Sequence, residues 1–588
     1  MIEPMRFLTL IVPEADRVSA VERLRDLGVM QVETGAVQET PEISALAASL
    51  AEADKVLDML QICPASDVEP PAAADGAQVV QMVQDSLKLE QNLQRELDQC
   101  CARMAQVAPW GRFQPELIER AREFGLRIYC CAAPKKVLAG LRKKFVCEVL
   151  GGSSGTMRFA VLADADIDPE ELPLADLPAG MSLAGLELQV ADLRRRITAE
   201  QQSRNAMRKY LEMLRQYRAE LAGELEFVRV RMSVGVHDKI ASITGFVPEI
   251  MLGTIREAVQ KYGWGFADRA ADPAKEAVPT LLKMAKPVRI IKPLMDFLAI
   301  APGYDERDVS LSVLFFFTVF FGMLMGDAGY GALFLIAAII GWMTAGRKNP
   351  AARLPLALLT LLSCAAIGWG WASGNCFGMS IPGIPWLSCD PHASQHTQLV
   401  CFSLALAQLS LAHLLRMTDG GFRNILGQVG WILVLLGNFL LVYSLLLATS
   451  ALPGWFQPLM LSCYGAGMVL VAIAEINVRD VGSMFGYPFS IINSFVDVLS
   501  YIRLFAVGMS GYYLAKCFND MAWTLREQSD WMIPVAVVVV LIGHLVNIIL
   551  AAMGVLVHGV RLNTLEYSSH LGLRWGGTVF APFRKHDK

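Results

Sequence analysis

Charge is what the second half of this 588-residue chain lacks. Through residue 307, Arg, Glu, Asp and Lys are frequent; from Asp308 onward they become rare and apolar runs dominate. At 54% hydrophobic and 18% charged residues, the chain is too apolar for an ordinary soluble protein. There is no basic excess either, and a net charge of −4 excludes nucleic acid as the expected partner. The 12 cysteines form no C-x-x-C knuckle, which argues against a metal site. No G-x-x-x-x-G-K-[ST] loop is present, and no G-x-G-x-x-G opens a helix. The run "GGSSGTMRF" at 151–159 reads as a turn between strands, so neither a nucleotide nor another cofactor is expected. The opening "MIEPMRFLTLIVPEADR" has an acid at position 3 and too short an apolar core for a secretory signal, so the first half is expected in the cytoplasm.

What is present divides in the same place. Residues 1–307 alternate compact and rod-like signals. "MRFLTLIVP", "AVERLRDLG" and "VMQVE" read as strand, helix and strand, and the theme returns at "RIYCCAAP" to "TMRFAVLAD" and at "KIASITGFVP" to "WGFADRAAD". Between them a heptad runs from Leu186 through Val190, Leu193 and Ile197 to Val228, with charged breaks at Glu200, Arg204 and Arg218. That is a coiled-coil helix, and the polar helix before residue 106 is its expected antiparallel partner. Residues 308–588 hold eight apolar segments, near 309–326, 328–345, 353–374, 397–415, 424–448, 457–475, 488–516 and 531–560. The expected fold is therefore an α-helical polytopic membrane protein of eight transmembrane helices with an N-terminal cytoplasmic α+β/coiled-coil arm. Arg347, Lys348, Arg353, Arg416, Arg423 and Arg479 follow even-numbered segments, which places both termini in the cytoplasm; Arg526 departs from the pattern. Cys376 and Cys389 fall in one outer loop, where a disulfide and two free thiols both stay open.

The candidate site begins with a cost. In "SFVDVLSYIRLFAVGMSGYY" (494–513), Arg503 is the single basic residue and Asp497 the single acid. A guanidinium at membrane depth costs about 2.5–3.5 kcal/mol on insertion scales, so it needs a partner or a wet cavity. Asn493, Ser500, Arg503 and Ser510 share a face of one helix, and His544, Asn547, Ala551, Gly554, His558 and Arg561 share a stripe of the next. Ser, Asn and His in such positions also serve as interhelical glue, whereas a fixed cation is costly for that purpose. Arg561, nearer the cytoplasmic end, can snorkel. Two polar seams with an arginine each suggest a hydrated, charge-controlled path.

"FFGMLMGDAGYG" (320–331), "SYIRLFAVGMS" (500–510) and "GVLVHGVRLNTLEYSSHLG" (554–572) together resemble the membrane stator subunit of V-type/A-type rotary ATPases, subunit I or subunit a, over nearly the whole chain. The resemblance implies that the last two helices lie tilted against a proteolipid (c/K-type) ring. It also implies that Arg503 is the ion-translocation arginine acting on a ring carboxylate, with Arg561 as the second arginine. Asn493 and Asp497 would serve the cytoplasmic half-channel, while Glu566 and His558 flank Arg561. His544 and Asn547 lie toward the other face. Where many relatives carry a carboxylate or amide this chain has Ala551, so that role passes to Asn547 or Asp327; Glu475 is either a channel or an interface residue. Implied partners are peripheral-stalk (E/G-type) and central-stalk collar (d/C-type) subunits, membrane lipid, and H+ or Na+. The subunit would make no ATP itself, and a bacterial or archaeal plasma membrane is expected. A secondary transporter would show internally repeated halves, which are absent, and a membrane-anchored scaffold would tolerate loss of Arg503.

Overall fold

The computed structural model describes residues 2–35, 39–64, 66, 68–111, 120–153, 156–163, 172–175, 182–237, 239–387, 394–448, 452–476 and 481–585. The chain divides into two compact units. One comprises Met1–Leu10, Val29–Gln31 and Thr244–Pro582; the other comprises Ile11–Gly28, Val32–Ile243 and Phe583–Lys588.

The second unit is built on a long helical pair. Helices α1 (Pro41–Ile62) and α2 (Gly76–Val107) face α3 (Leu183–Ala206) and α4 (Leu211–Ser233). Each start is marked by its sequence: Thr40 caps α1 with Pro41 behind it, Asp75 caps α2 at 2.8 Å, and Ser182 caps α3 at 3.0 Å. Cross-links run 42 to 231, 54 to 218, 90 to 204 and 100 to 186, numbers falling on one side as they rise on the other, so the pair is antiparallel. The heptad positions Leu186, Val190, Leu193 and Ile197 pack on Leu93 and Leu97, and Met207, Leu214 and Leu221 on Val56, Leu60 and Val83. Two of the charged heptad breaks have partners, since Arg204 binds Glu90 and Arg218 binds Asp54 at 2.6 Å. A separate antiparallel sheet, in the order Arg127–Pro134, Thr156–Ala163, Val146–Ser153, buries Cys131, Phe159 and Val161.

Glu90 gives this rod a pH dependence. Burial works to raise its carboxyl, but hydrogen bonds from Arg204 and Gln201 and the Arg204 charge outweigh it and hold the group below its ordinary value. A depressed folded pKa stabilises above the unfolded value, about 4.3, and the contribution is lost as pH falls through the folded value. The pair lies half-buried at the edge of the rod, 13% and 21% exposed, and its effect is on the order of 1 kcal/mol. Amide protection factors in α2 and α3 should fall further between pH 6 and pH 4 in wild type than in Glu90→Gln; an equal fall would refute the assignment.

In the first unit, residues 244–248, 5–10 and 265–270 run side by side in that order. The rest is mostly a helical bundle. Helix α5 is Ser310–Met325, α6 Ala328–Gly341, α7 Arg353–Ala372, α8 Ser394–Arg416, α9 Phe422–Val442, α10 Phe456–Glu475, α11 Val481–Ser500, α12 Ile502–Gln528 and α13 Ile533–Gly554. Among the described residues, 7 stretches are long and apolar enough to cross a membrane, against the eight expected. The difference is α5. Its 16 residues reach roughly 24 Å, short of a hydrocarbon core of about 30 Å. Gly326, at φ 61, stops it, and Asp327 at once caps α6. A core of Phe316, Phe320, Phe402, Leu409, Tyr501 and Leu562 joins α5, α8, α12 and the last helix.

Two expectations of continuity differ from the fold. The seventh apolar segment is broken at Tyr501, between α11 and α12. Tyr501 is fully buried and donates to Gln408 at 2.7 Å, and Gln408 in turn donates to Asn563 at 3.0 Å, so long-range bonds hold the break. The last segment leaves α-helical geometry for π turns at Val555–Gly559 and Leu562–Tyr567. The stripe counted at 3.6 residues per turn therefore holds only through Gly554. Cys376 is a free thiol; Cys389 and Arg479 lie outside the described residues.

Candidate functional site

The break at Tyr501 puts Arg503 in the first turn of α12. There its Nε donates to the Ser500 carbonyl at 3.0 Å and its Nη2 donates to Ser500 Oγ. The same Nη2 lies 2.9 Å from Glu566 Oε1. Ser500 Oγ donates to that carboxylate oxygen at 2.6 Å, and Arg561 Nε approaches it to 3.4 Å. Glu566 is 5% exposed, while Arg503 and Arg561 are 25% and 52% exposed, so the anion is held inside and both cations reach outward. Glu566 Oε2 is buried with no partner among the described residues, and the same is true of His558 Nδ1. Two guanidinium groups thus share one carboxylate, leaving one positive charge in excess at the bundle surface.

Sequence reading placed Glu566 beside Arg561; the structure also puts it on Arg503, because the second π turn carries it around the helix. Ser510 donates within its own helix to the Val507 carbonyl and stands exposed. Beyond Arg503 lies a second polar group. Tyr330 Oη is 2.7 Å from His544 Nδ1 and accepts from Asn547 Nδ2 at 3.0 Å, and His544 Nε2 is 3.1 Å from Asn519 Oδ1. Asn547 and Ala551 are buried and His544 is half-buried. Asp327, 2% exposed, accepts backbone N–H groups of Gly329, Tyr330 and Phe377 at one oxygen and of Gly378 at the other, at 2.8–3.2 Å. Its observed work is to cap α6 and clamp the 375–378 loop.

On the other side of Arg503, Asn493, Asp497 and Glu475 line a cavity of about 480 Å³ with His413, Arg416, Trp431 and His570. Glu475 accepts from Trp431 Nε1 at 2.7 Å, and Asp497 Oδ2 is 3.1 Å from His570 Nε2. His413, His570, Gln408, Tyr501, Asn519 and Tyr330 were missed as site residues. A histidine in the apolar run "LSLAHLLR" was the one available signal.

Among the described residues, seven stretches long and apolar enough to cross a membrane, packed with a buried polar network and an arginine pair, mark a multi-pass membrane protein. Over its whole length the chain is 29% identical to V-type ATP synthase subunit I 1 of Treponema pallidum (strain Nichols), covering all of both proteins. It is 32% identical to V-type ATP synthase subunit I of Borreliella burgdorferi across 65% of this chain and 66% of that protein. The A-type ATP synthase subunit I of Methanocaldococcus jannaschii is 25% identical across 60% of this chain and 56% of that one. No protein-family profile matches. A crystal structure of the cytoplasmic N-terminal domain of subunit I, homolog of subunit a, of V-ATPase covers 45% of this chain at 14% identity, with a TM-score of 0.21, too weak a likeness to define the fold. The chain is thus a homologue, over its full length, of proteins named V-type or A-type ATP synthase subunit I.

Proposed function

We propose that the chain is the stator subunit of a V/A-type rotary ATPase or ATP synthase, moving H+ or Na+ across a bacterial or archaeal plasma membrane. Residues 1–307 are the arm that binds E/G-type peripheral stalks and the d/C-type collar, with both termini cytoplasmic. Residues 308–588 are the membrane domain, crossing eight times with α5 as a short span, and its last two spans face the proteolipid ring. The ring carboxylate is the missing counter-charge of the arginine pair, and that unbalanced charge carries the reading. Beside Arg503 the ionised carboxylate is favoured, so its ion leaves into one half-channel. As the ring turns, the carboxylate reloads from the other half-channel. Between encounters Glu566 keeps Arg503 paired, so the cation is never alone at membrane depth. Nucleotide chemistry belongs to other subunits.

The test uses the purified complex in sealed vesicles, with ATP-driven ion uptake, ATP hydrolysis and subunit composition measured on the same samples. Arg503→Ala should assemble and lose uptake by at least about a hundredfold, the scale of two lost charge-assisted hydrogen bonds. Uptake at the wild-type rate would make the arginine structural and favour a scaffold.

A further inference from the structure

The cavity beside Asp497 ends in a hydrogen-bond chain with a fixed direction. Asn424 Nδ2 donates to the Arg416 carbonyl at 2.8 Å, and Gln428 Nε2 donates to Asn424 Oδ1 at 3.1 Å. His413 Nδ1 then faces Gln428 Oε1 at 2.6 Å, His413 Nε2 faces His570 Nδ1 at 2.9 Å, and His570 Nε2 faces Asp497 Oδ2 at 3.1 Å. A backbone carbonyl can only accept, so both amides are fixed in orientation and Gln428 presents its oxygen to His413. The remaining three links need three protons, and two neutral imidazoles supply two. The third has to sit on Asp497, on His570 or on His413. His413 and His570 are 2% and 8% exposed, and the Asp497 carboxylate is open to the cavity at 25%, so Asp497 is where that proton meets water.

The surroundings confine it there. Arg416 Nη1 lies 3.4 Å from the His570 carbonyl, Glu475 is occupied by Trp431, and the Trp431 ring stacks on His413 at 6.0 Å. Toward Arg503 the way is short. Asp497 and Ser500 are three residues apart, and Glu566 and His570 four, so the Asp497–His570 and Ser500–Glu566 contacts are successive rungs, roughly 5–6 Å apart.

We propose that Asp497, His570 and His413 hold one exchangeable proton between the cavity and the Arg503–Glu566 site, and that the coupled ion is therefore H+. This rests on the stator reading above. A hydronium in the cavity gives its proton to Asp497 and leaves as water. Asp497 passes the proton to His570 Nε2, forming an imidazolium beside a carboxylate, and reversal returns it. A sodium ion has no equivalent passage through imidazole nitrogens.

Asp497→Asn separates the proton count from the fold. The asparagine amide donates to His570 Nε2, so all three links are satisfied permanently with nothing left to exchange. The intact variant complex in sealed vesicles should assemble and melt at or above the wild-type temperature, while ATP-driven acidification falls about tenfold or more. Asp497→Glu should retain acidification, and His570→Gln should lose it. Wild-type acidification by Asp497→Asn overturns the proposal, and so does failure of that variant to assemble, because a satisfied chain should fold. Uptake of radioactive sodium by wild type in the presence of a protonophore also overturns it while leaving the stator reading intact. A wild-type complex that hydrolyses ATP and moves neither ion overturns the stator reading itself.

Discussion

Arg503→Lys is expected to slow ion movement about tenfold or more, between wild type and Arg503→Ala, although the formal charge is kept. The guanidinium uses two nitrogens in different directions, Nε on the Ser500 carbonyl and Nη2 on Ser500 Oγ and Glu566. An ammonium is a single point on a flexible stem and cannot fill both directions from one position. It also loses its proton more readily when poorly solvated, whereas a guanidinium keeps its charge. Losing one charge-assisted bond, about 1.5–3 kcal/mol, lowers a rate about tenfold or more. ATP-driven uptake in vesicles, set beside ATP hydrolysis, reads the effect. A lysine variant running at half the wild-type rate or better would mean that charge alone suffices and that the fork geometry is incidental.

Asp327→Ala is expected to be among the most destabilising single changes in the membrane bundle. One carboxylate satisfies four backbone donors from two segments, 329–330 and 377–378, in a place where water does not reach. Each buried donor left unmade costs about 1–3 kcal/mol, so the sum is on the order of 4 kcal/mol even if some find new partners. The loss spreads, because Asn375 bonds the Gly326 carbonyl at 2.8 Å and Asn519 bonds the Phe377 carbonyl at 2.6 Å, tying the same loop to the end of α5 and to α12. The apparent melting temperature of the detergent-solubilised complex should fall by roughly 5 °C or more. Asp327→Asn, which keeps one accepting oxygen, should fall about half as far. An alanine variant melting with wild type would show that these bonds exchange freely for water.

The sequence made some of this readable and hid the rest, for physical reasons. The coiled coil could be read because Leu186 to Val228 repeat on a local period, whereas the partners of the breaks at Arg204 and Arg218 lie on the other helices and had no signal in that period. Arg503 stood out because its burial is expensive wherever the chain folds. The stop at Gly326 and the cap at Asp327 are visible in four letters, but Phe377 and Gly378 come back to that carboxylate from fifty residues away and leave no mark in the motif. The histidine pair is separated by 157 positions, and no period connects His413 with His570. The break at Tyr501 and the two π turns depend on contacts made across the bundle, and a count at 100° per residue passes straight through them.

Those wide turns have a meaning for length. Each accommodates one more residue than an α-helical turn of the same height, so the stretch from Val555 to Tyr567 is a helix with spare chain folded into it. Removing one residue there leaves an unbroken helix, with the backbone bonding simply resuming its tighter spacing. Aim changes little, since the residue removed was taken up inside a wide turn and the side chains beyond it keep roughly their present direction. Glu566 would stay on the side that faces Arg503 after such a deletion in the first wide turn. In this part of the molecule, the chain can lose a residue and keep its direction.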